Sequence, residues 1–368
     1  MKKILLIIFA VLSAYLTAFY TSGVKNGYDD PFDFEKIFGI KFPENIEKTS
    51  FENAVEELNN NNYDTALEYF FDALNENDSD SVNYYIGYIY LQKKQYETAL
   101  LYLNFASNFE NADAKIYRDK GIAEYYLNDF NSAINDLYYA TELNREDSKT
   151  YYFLGKCYNE QGKKEVALQS VETALLYDSL NIKALYEAGY FAMDIENYDK
   201  AVKYFQKYSD INNTDDNKYA MLNLGLAYSR KGISDSALLW YDKTIEKYPD
   251  YSLAYNNKGY ILQINKNYKE AIKLYNKALK LDSTNTYALW NRADCFKLTK
   301  KYKQAITDYK KIYEINPEYY NSLFYTAECY ENLNNKEEAL NYYLKYKSVA
   351  KSNSKFFNKV DNKINNLQ

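Results

Sequence analysis

Residues 255–275 read YNNKGYILQINKNYKEAIKLY, and this stretch decides the fold. Two apolar-periodic runs, Tyr255–Leu262 and Tyr268–Tyr275, flank a polar bridge, QINKN. In each run the apolar residues return at three- and four-residue intervals, the period of a helix buried along one side. Each run also carries one small residue, Gly259 in the first and Ala271 twelve positions later in the second. Small residues on facing helices let two backbones approach closely, so the stretch predicts a tight helix-turn-helix unit.

The unit recurs along the chain. The alanines equivalent to Ala271 are Ala66, Ala99, Ala133, Ala167, Ala201, Ala237, Ala271, Ala305 and Ala339, separated by 33, 34, 34, 34, 36, 34, 34 and 34 residues. The one long step falls at Asn212-Asn213-Thr214-Asp215-Asp216, a polar turn that absorbs two extra residues. Twelve residues before each alanine stands Ala54, Gly87, Gly121, Gly155, Gly189, Gly225, Gly259, Ala293 or Ala327. Seven residues after it, Ala73, Ala106, Ala140, Ala174 and Ala278 supply a second small side chain. Tyr208, Ile312 and Tyr346 take that place elsewhere and predict wider junctions.

This period, with YYFLGKCY at Tyr151–Tyr158 and YNNKGYIL at Tyr255–Leu262, resembles the first helix of the tetratricopeptide repeat family. YDKAVKYF at Tyr198–Phe205 and YKEAIKLY at Tyr268–Tyr275 resemble its second helix, while the family's opening Trp is mostly Tyr or Leu. The resemblance covers residues 47–353 and implies an all-α fold, a right-handed α-solenoid of nine such repeats. Residues 354–368 read as a C-terminal capping helix. Phe356, Phe357, Val360, Ile364 and Leu367 lie on one face, and Lys355, Lys359 and Lys363 lie on the opposite, solvent face.

Composition excludes most chemistry. Histidine is absent, which removes the Ser-His-Asp and Cys-His arrangements and the commonest zinc ligand. When each unit is numbered with its aligned alanine as position 20, all three cysteines, Cys157, Cys295 and Cys329, fall at position 10 and read as core thiols. Six of the 11 glycines fall at position 8, and Gly162 and Gly232 fall at the turn between helices. Repeat phase thus accounts for the residues that invite chemistry. The expectation is a protein that is not an enzyme and has no cofactor and no metal. A net charge of −6 argues against nucleic acid as a partner. The ends differ in sign, with 7 basic and 20 acidic residues over 47–148 against 20 basic and 12 acidic over 250–368. Solvated helix faces account for this, and so would a polar rod that self-associates through oppositely charged ends.

The N-terminus has a separate role. Lys2 and Lys3 precede an uncharged run from Ile4 to Gly23, the layout of a secretory signal, and Ile4–Tyr20 is long enough for an N-terminal membrane anchor. Residues 1–23 are therefore read as a signal peptide or anchor, the only contact with the membrane. Either one places the rest of the chain in the periplasm or cell envelope. Residues 24–46 are a spacer whose Phe32, Phe34, Ile37, Phe38 and Ile40 could dock on the first repeat.

The family resemblance further implies a concave groove lined by first helices that takes a protein or peptide ligand. Positions 5, 9, 12 and 13 share one face of the first helix and carry Tyr84, Tyr88, Tyr125, Tyr126, Tyr152, Tyr186, Tyr190 and Trp290 among others. Position 6 carries Asn223, Asn257 and Asn291 in repeats six to eight, an amide ladder of the kind that holds an extended peptide by its backbone. The family's clamp for chaperone C-termini needs Lys at position 5 and Asn at position 9. Arg118 with Ile122 comes nearest and does not match.

Overall fold

The structure is a computed structural model that describes residues 48–75, 79–109 and 112–368. The N-terminal segment 1–23 and the spacer 24–46, with the Phe and Ile residues expected to dock it, lie outside the described residues. The chain divides into two compact units, Met1–Tyr69 and Phe70–Gln368. In the first, α1 (Ser50–Asn59) opens with a capping box: the Glu52 N–H donates to Thr49 Oγ1 at 3.2 Å and the Thr49 N–H donates to Glu52 Oε2 at 3.0 Å. Helix α2 (Tyr63–Asn75) begins in the first unit and ends in the second.

The second unit continues with α3 (Ser79–Gln92), α4 (Tyr96–Ser107), α5 (Ala114–Tyr126), α6 (Phe130–Leu143), α7 (Ser148–Glu160) and α8 (Lys164–Tyr177). Then come α9 (Ile182–Asp194), α10 (Tyr198–Ile211), α11 (Asn217–Arg230), α12 (Ser234–Lys247), α13 (Ser252–Ile264) and α14 (Tyr268–Leu281). The last are α15 (Thr286–Leu298), α16 (Tyr302–Ile315), α17 (Asn321–Asn332), α18 (Lys336–Val349) and α19 (Phe357–Leu367). Odd-numbered helices are the first helices of repeats, even-numbered ones the second helices, and α19 follows the ninth pair. From α3 onward each helix packs on the next, and the first helices α3, α5 and α7, and again α11, α13 and α15, also touch in succession, which is the packing of an α-solenoid. The two-residue insertion forms the link 212–216 between α10 and α11, as the sequence implied.

One backbone device repeats nine times. Position 15, at the turn inside each repeat, has a positive φ: Asn61, Lys94, Asn128, Gly162, Glu196, Gly232, Lys266, Lys300 and Asn334. The following N–H reaches back to the carbonyl of position 11, as in Asp129 to Glu124 at 3.0 Å and Lys301 to Phe296 at 2.7 Å. This is a Schellman closure, which reverses the chain in a few residues and satisfies carbonyls at the helix end. Only two of the nine positions are glycine, and asparagine tolerates the left-handed region, but lysine and glutamate do not. Exchanging Lys94, Glu196, Lys266 and Lys300 for glycine is therefore expected to stabilise the protein by about 1 kcal/mol per site. The sites are far apart, so the fourfold variant should show a nearly additive rise in thermal denaturation.

All nine aligned alanines are fully buried. Position 8 faces position 24 of the same repeat. A Cβ built on Gly189 would lie 2.7 Å from the Phe205 ring, and one on Gly259 would lie 2.7 Å from Tyr275 Cε1. The absent side chain is what lets a large ring seal the helix pair. The three cysteines are buried and unpaired, and burial pushes each thiol up to about 12, so none is poised as a nucleophile. Tyr208, Ile312 and Tyr346, the large residues at position 27, are also buried.

Helix α19 closes the last hydrophobic face with Val360 and Ile364, and Phe356 stacks on Phe324 with centroids 4.2 Å apart. One expectation needs correcting here. Lys359 and Lys363 do not simply face solvent: Lys363 Nζ pairs with Glu331 at 2.8 Å and Lys359 Nζ with Glu328 at 3.3 Å. The cap is fastened to repeat nine by charge as well as by apolar contact.

A candidate groove on the first helices

Repeats two to five set tyrosines along the first helices. Two of them stand open to solvent, Tyr126 and Tyr190, each 46% exposed. Tyr126 stacks on Tyr96 at 4.5 Å and meets Tyr125 edge-on at 5.2 Å. Tyr125 meets Phe153 at 5.7 Å, and Tyr152 meets the same ring at 5.1 Å, so one aromatic chain runs from α4 to α7. Burial pushes the Tyr152 phenol up to about 12, which keeps it a neutral hydrogen-bonding group. Tyr88 is half-buried, with its ring centroid 6.2 Å from that of Tyr84. Tyr186 packs edge-on against Phe205 at 5.8 Å.

Tyr84 is not an open groove residue. It is 8% exposed, its hydroxyl donates to Asp119 Oδ2 at 3.1 Å, and Lys115 Nζ lies 4.8 Å from its ring centroid. Asp119 is fully buried and is held by Arg118 through bonds of 2.8 and 3.0 Å; Arg118 also reaches Asp147 at 3.2 Å. A buried carboxylate without such partners would be strongly unfavourable, so this network is structural and Tyr84 belongs to it.

The amides of repeats six to eight bond to their own neighbours. Asn223 Nδ2 donates to the Tyr186 hydroxyl at 3.3 Å. Asn291 Nδ2 donates to Asn256 Oδ1 at 3.1 Å, and Asn256 Nδ2 donates to Asn257 Oδ1 at 3.1 Å. The predicted ladder is thus broken: Asn257 and Asn291 are joined through Asn256, a buried residue at position 5 that was not singled out from the spacing, while Asn223 bonds a tyrosine of the preceding repeat. Trp290 is half-buried and sits edge-on to Tyr309 at 5.7 Å and Tyr325 at 5.6 Å.

The reading of the sequence also missed position 24 of repeats six to nine, where Tyr241, Tyr275, Tyr309 and Tyr343 recur at 34-residue spacing. Each ring is buried in the second helix, and each hydroxyl reaches a polar residue of a first helix. Tyr275 donates to Gln263 Oε1 at 2.7 Å, Tyr343 to Glu331 Oε2 at 2.5 Å and Tyr309 to Asp294, while Tyr241 lies beside Asn257. Repeats two to four carry Leu103, Leu137 and Val171 at this place, which cannot do this. The first-helix face therefore has an aromatic half over repeats two to five and a mixed half over six to nine, where these polar contacts stand beside Trp290 and the 46% exposed Tyr260. The two halves meet at a cavity of about 350 Å³ between repeats five and six. Tyr190, Met193, Tyr198, Phe205, Leu226, Asn223 and Arg230 line it, with Glu196 at the turn inside repeat five. Asp194, also in its lining, is paired with Lys164 at 3.0 Å. Among the described residues no carboxylate pairs with Arg230.

Models of the tetratricopeptide repeat match residues 51–106, 118–180, 160–216 and 186–252, and further models of the same repeat match 252–285, 286–319 and 321–349. The chain belongs to the tetratricopeptide repeat family. A TPR repeat-containing protein of Methanocaldococcus jannaschii is 24% identical over 242 residues, covering 61% of this chain and 42% of that protein. Anaphase-promoting complex subunit 3 of Schizosaccharomyces pombe is 27% identical over 147 residues, covering 40% of this chain and 22% of the subunit. The chain thus spans less than half the length of these two relatives. Among solved structures, the C-terminal part of a TPR repeat-containing protein from Cytophaga hutchinsonii superposes with a TM-score of 0.54 at 18% identity, covering 64% of this chain and 95% of that one. A tetratricopeptide repeat protein from Parabacteroides merdae gives 0.52 at 19% identity, covering 69% and 98%. These two likenesses concern the fold alone. Tetratricopeptide repeat proteins act as protein-binding scaffolds, and the fold is typically non-enzymatic. Among the described residues no helix is long and apolar enough to cross a membrane.

Proposed function

We propose that this chain is a non-enzymatic scaffold that binds an extended protein segment along its first helices, centred on the cavity between repeats five and six. One observation carries the reading: an exposed tyrosine, Tyr190, and an arginine without an internal carboxylate partner, Arg230, converge on one cavity with the Asn223 amide beside them. An exposed ring offers contact area at low entropic cost, and a guanidinium set in a partly apolar wall favours a carboxylate. The bound segment would then place an apolar side chain against Tyr190, Met193 and Phe205 and an acidic one against Arg230.

The test is a photo-crosslinking amino acid at position 190 in the full chain in its native cells, with the same group at position 334, in the exposed turn between α17 and α18, as control. Recovery of a recurrent, acid-containing segment at position 190 alone is the expected result. A synthetic peptide of that segment should bind the chain at least tenfold more weakly after Tyr190→Ala or Arg230→Glu, since such anchors contribute about 2 kcal/mol. Equal capture at both positions would remove the support for the groove. The same proposal holds the scaffold outside the cytoplasmic membrane through residues 1–23. Retention in carbonate-washed membranes would identify that segment as an uncleaved anchor, and recovery in the cytosolic fraction would overturn the export.

A further inference from the structure

Because repeats place equivalent residues in equivalent surroundings, each repeat is a control for the others. Position 26, on the outer side of the second helix, is lysine in five consecutive repeats: Lys207, Lys243, Lys277, Lys311 and Lys345. In repeats two and three the same position is Phe105, 51% exposed, and Tyr139, 44% exposed. The fold does not require an aromatic side chain here, since it accepts lysine in the other repeats. Positions three and four residues further on share this helix face and bring in Leu176, 76% exposed, and Leu143, 48% exposed; Leu180, 62% exposed, follows in the turn after α8. Large apolar side chains standing this far out on three successive second helices form a surface that something covers.

The charge on these helices says what does. Helices α4, α6 and α8 carry one basic and five acidic residues, whereas α14, α16 and α18 carry ten basic and five acidic residues. The second-helix face of one chain is therefore acidic and aromatic over repeats two to four and basic over repeats seven to nine. Ammonium groups on long apolar stems suit both parts of the first surface, because stems cover apolar area and charges sit over rings or near carboxylates. The chain already uses this contact internally: Lys345 Nζ lies 4.9 Å from the Tyr313 ring centroid, and Lys310 Nζ lies 4.9 Å from that of Tyr342.

We infer that the occupant is a second copy of this chain. The second helices of repeats two to four of one copy lie against those of repeats seven to nine of the other, so an antiparallel pair satisfies both surfaces of both chains. Such a pair is closed by a twofold axis and leaves no free end.

The experiment uses the full chain in a mild non-ionic detergent, with mass followed by sedimentation velocity. One variant carries Phe105→Lys and Tyr139→Lys, changes to a residue that five other repeats accept at this position. The other carries Lys277→Glu, Lys311→Glu and Lys345→Glu. The unaltered chain is expected to be a dimer whose dissociation constant rises roughly tenfold or more from low salt to 1 M salt. Each variant alone is expected to be a monomer. An equimolar mixture of the two is expected to pair again, because one contact is then unaltered and the other is lysine against glutamate. A monomeric unaltered chain, a variant that still pairs with itself, or a mixture that stays monomeric would each overturn the inference. Assembly into open-ended polymers would also overturn it.

Discussion

The Gly155→Val chain is expected to lose about 3 kcal/mol of stability around its fourth repeat and to unfold in two steps instead of one. A Cβ at residue 155 would lie 2.9 Å from Val171 Cγ2 and 3.0 Å from the carbonyl oxygen of Ala167. The methyl of Val171 can turn aside. The carbonyl is backbone of α8, so α7 and α8 must separate, and the two further methyls of valine widen the gap. In a linear array each repeat is stabilised by its neighbours, so a weakened fourth unit uncouples the repeats on either side. Amide exchange in α7 and α8 should accelerate most, and denaturant unfolding should lose its coincidence between probes. Alanine should be milder, since Ala293 and Ala327 occupy position 8 opposite Tyr309 and Tyr343. A Gly155→Val chain that unfolds like the original would show that close approach at position 8 is not what holds the pairs together.

The second large effect concerns Glu124. Its side chain is buried, one carboxyl oxygen lacks a hydrogen-bond partner, and the group is pushed up to about 8. Burial is the main cause, followed by the charge of Asp136 and a hydrogen bond with it. Lys120, paired with Asp136 at 3.0 Å, opposes the shift, and Asp129 adds to it. The folded state thus keeps a proton that the unfolded state releases near 4.5. Below that pH both states are protonated and the folded state has no penalty. From pH 4.5 to 8 stability falls as the pH rises, and above 8 the penalty is complete. Glutamine cannot ionise and still offers an N–H to Asp136. The Glu124→Gln chain should therefore match the original at pH 5 and exceed it at pH 8.5 by about 2–4 kcal/mol in the stability of α5 and α6. Thermal unfolding at the two pH values, taken as a difference between the chains, cancels the other titrating groups. A difference that does not change with pH would show that Glu124 is ionised in the folded protein throughout the range.

Much of the fold was legible in one dimension because a repeat states its packing several times. The nine alanines at position 20 mark buried positions with no tertiary information, and the cysteines at position 10 were recognisable as core by comparison with Ala123 and Ala227. The candidate site was less legible. Tyr84 and Tyr186 both stand at position 5 of a first helix, yet the hydroxyl of one donates to a buried carboxylate and that of the other accepts from an amide. That difference depends on the following repeat, where Asp119 and Arg118 stand in one case and Asn223 in the other. A pattern along a single helix does not contain it.

What the sequence determined by itself is the periodic part: helix pairs, their turns, their number and their small-residue seams. Chain-local physics suffices for these, since the apolar spacing sets each helix and residues twelve apart set each close approach. Only the tertiary structure decided which polar groups are bound up internally and which are not. Tyr275 and Tyr309 send their hydroxyls across from second helices to first, and the Asn256, Asn257 and Asn291 amides bond one another. Arg230 makes no ion pair among the described residues, beside the exposed Tyr190. The physical reason is that burial and hydrogen bonding depend on the neighbouring helix at a few ångströms, a quantity fixed by stacking and not by spacing along the chain.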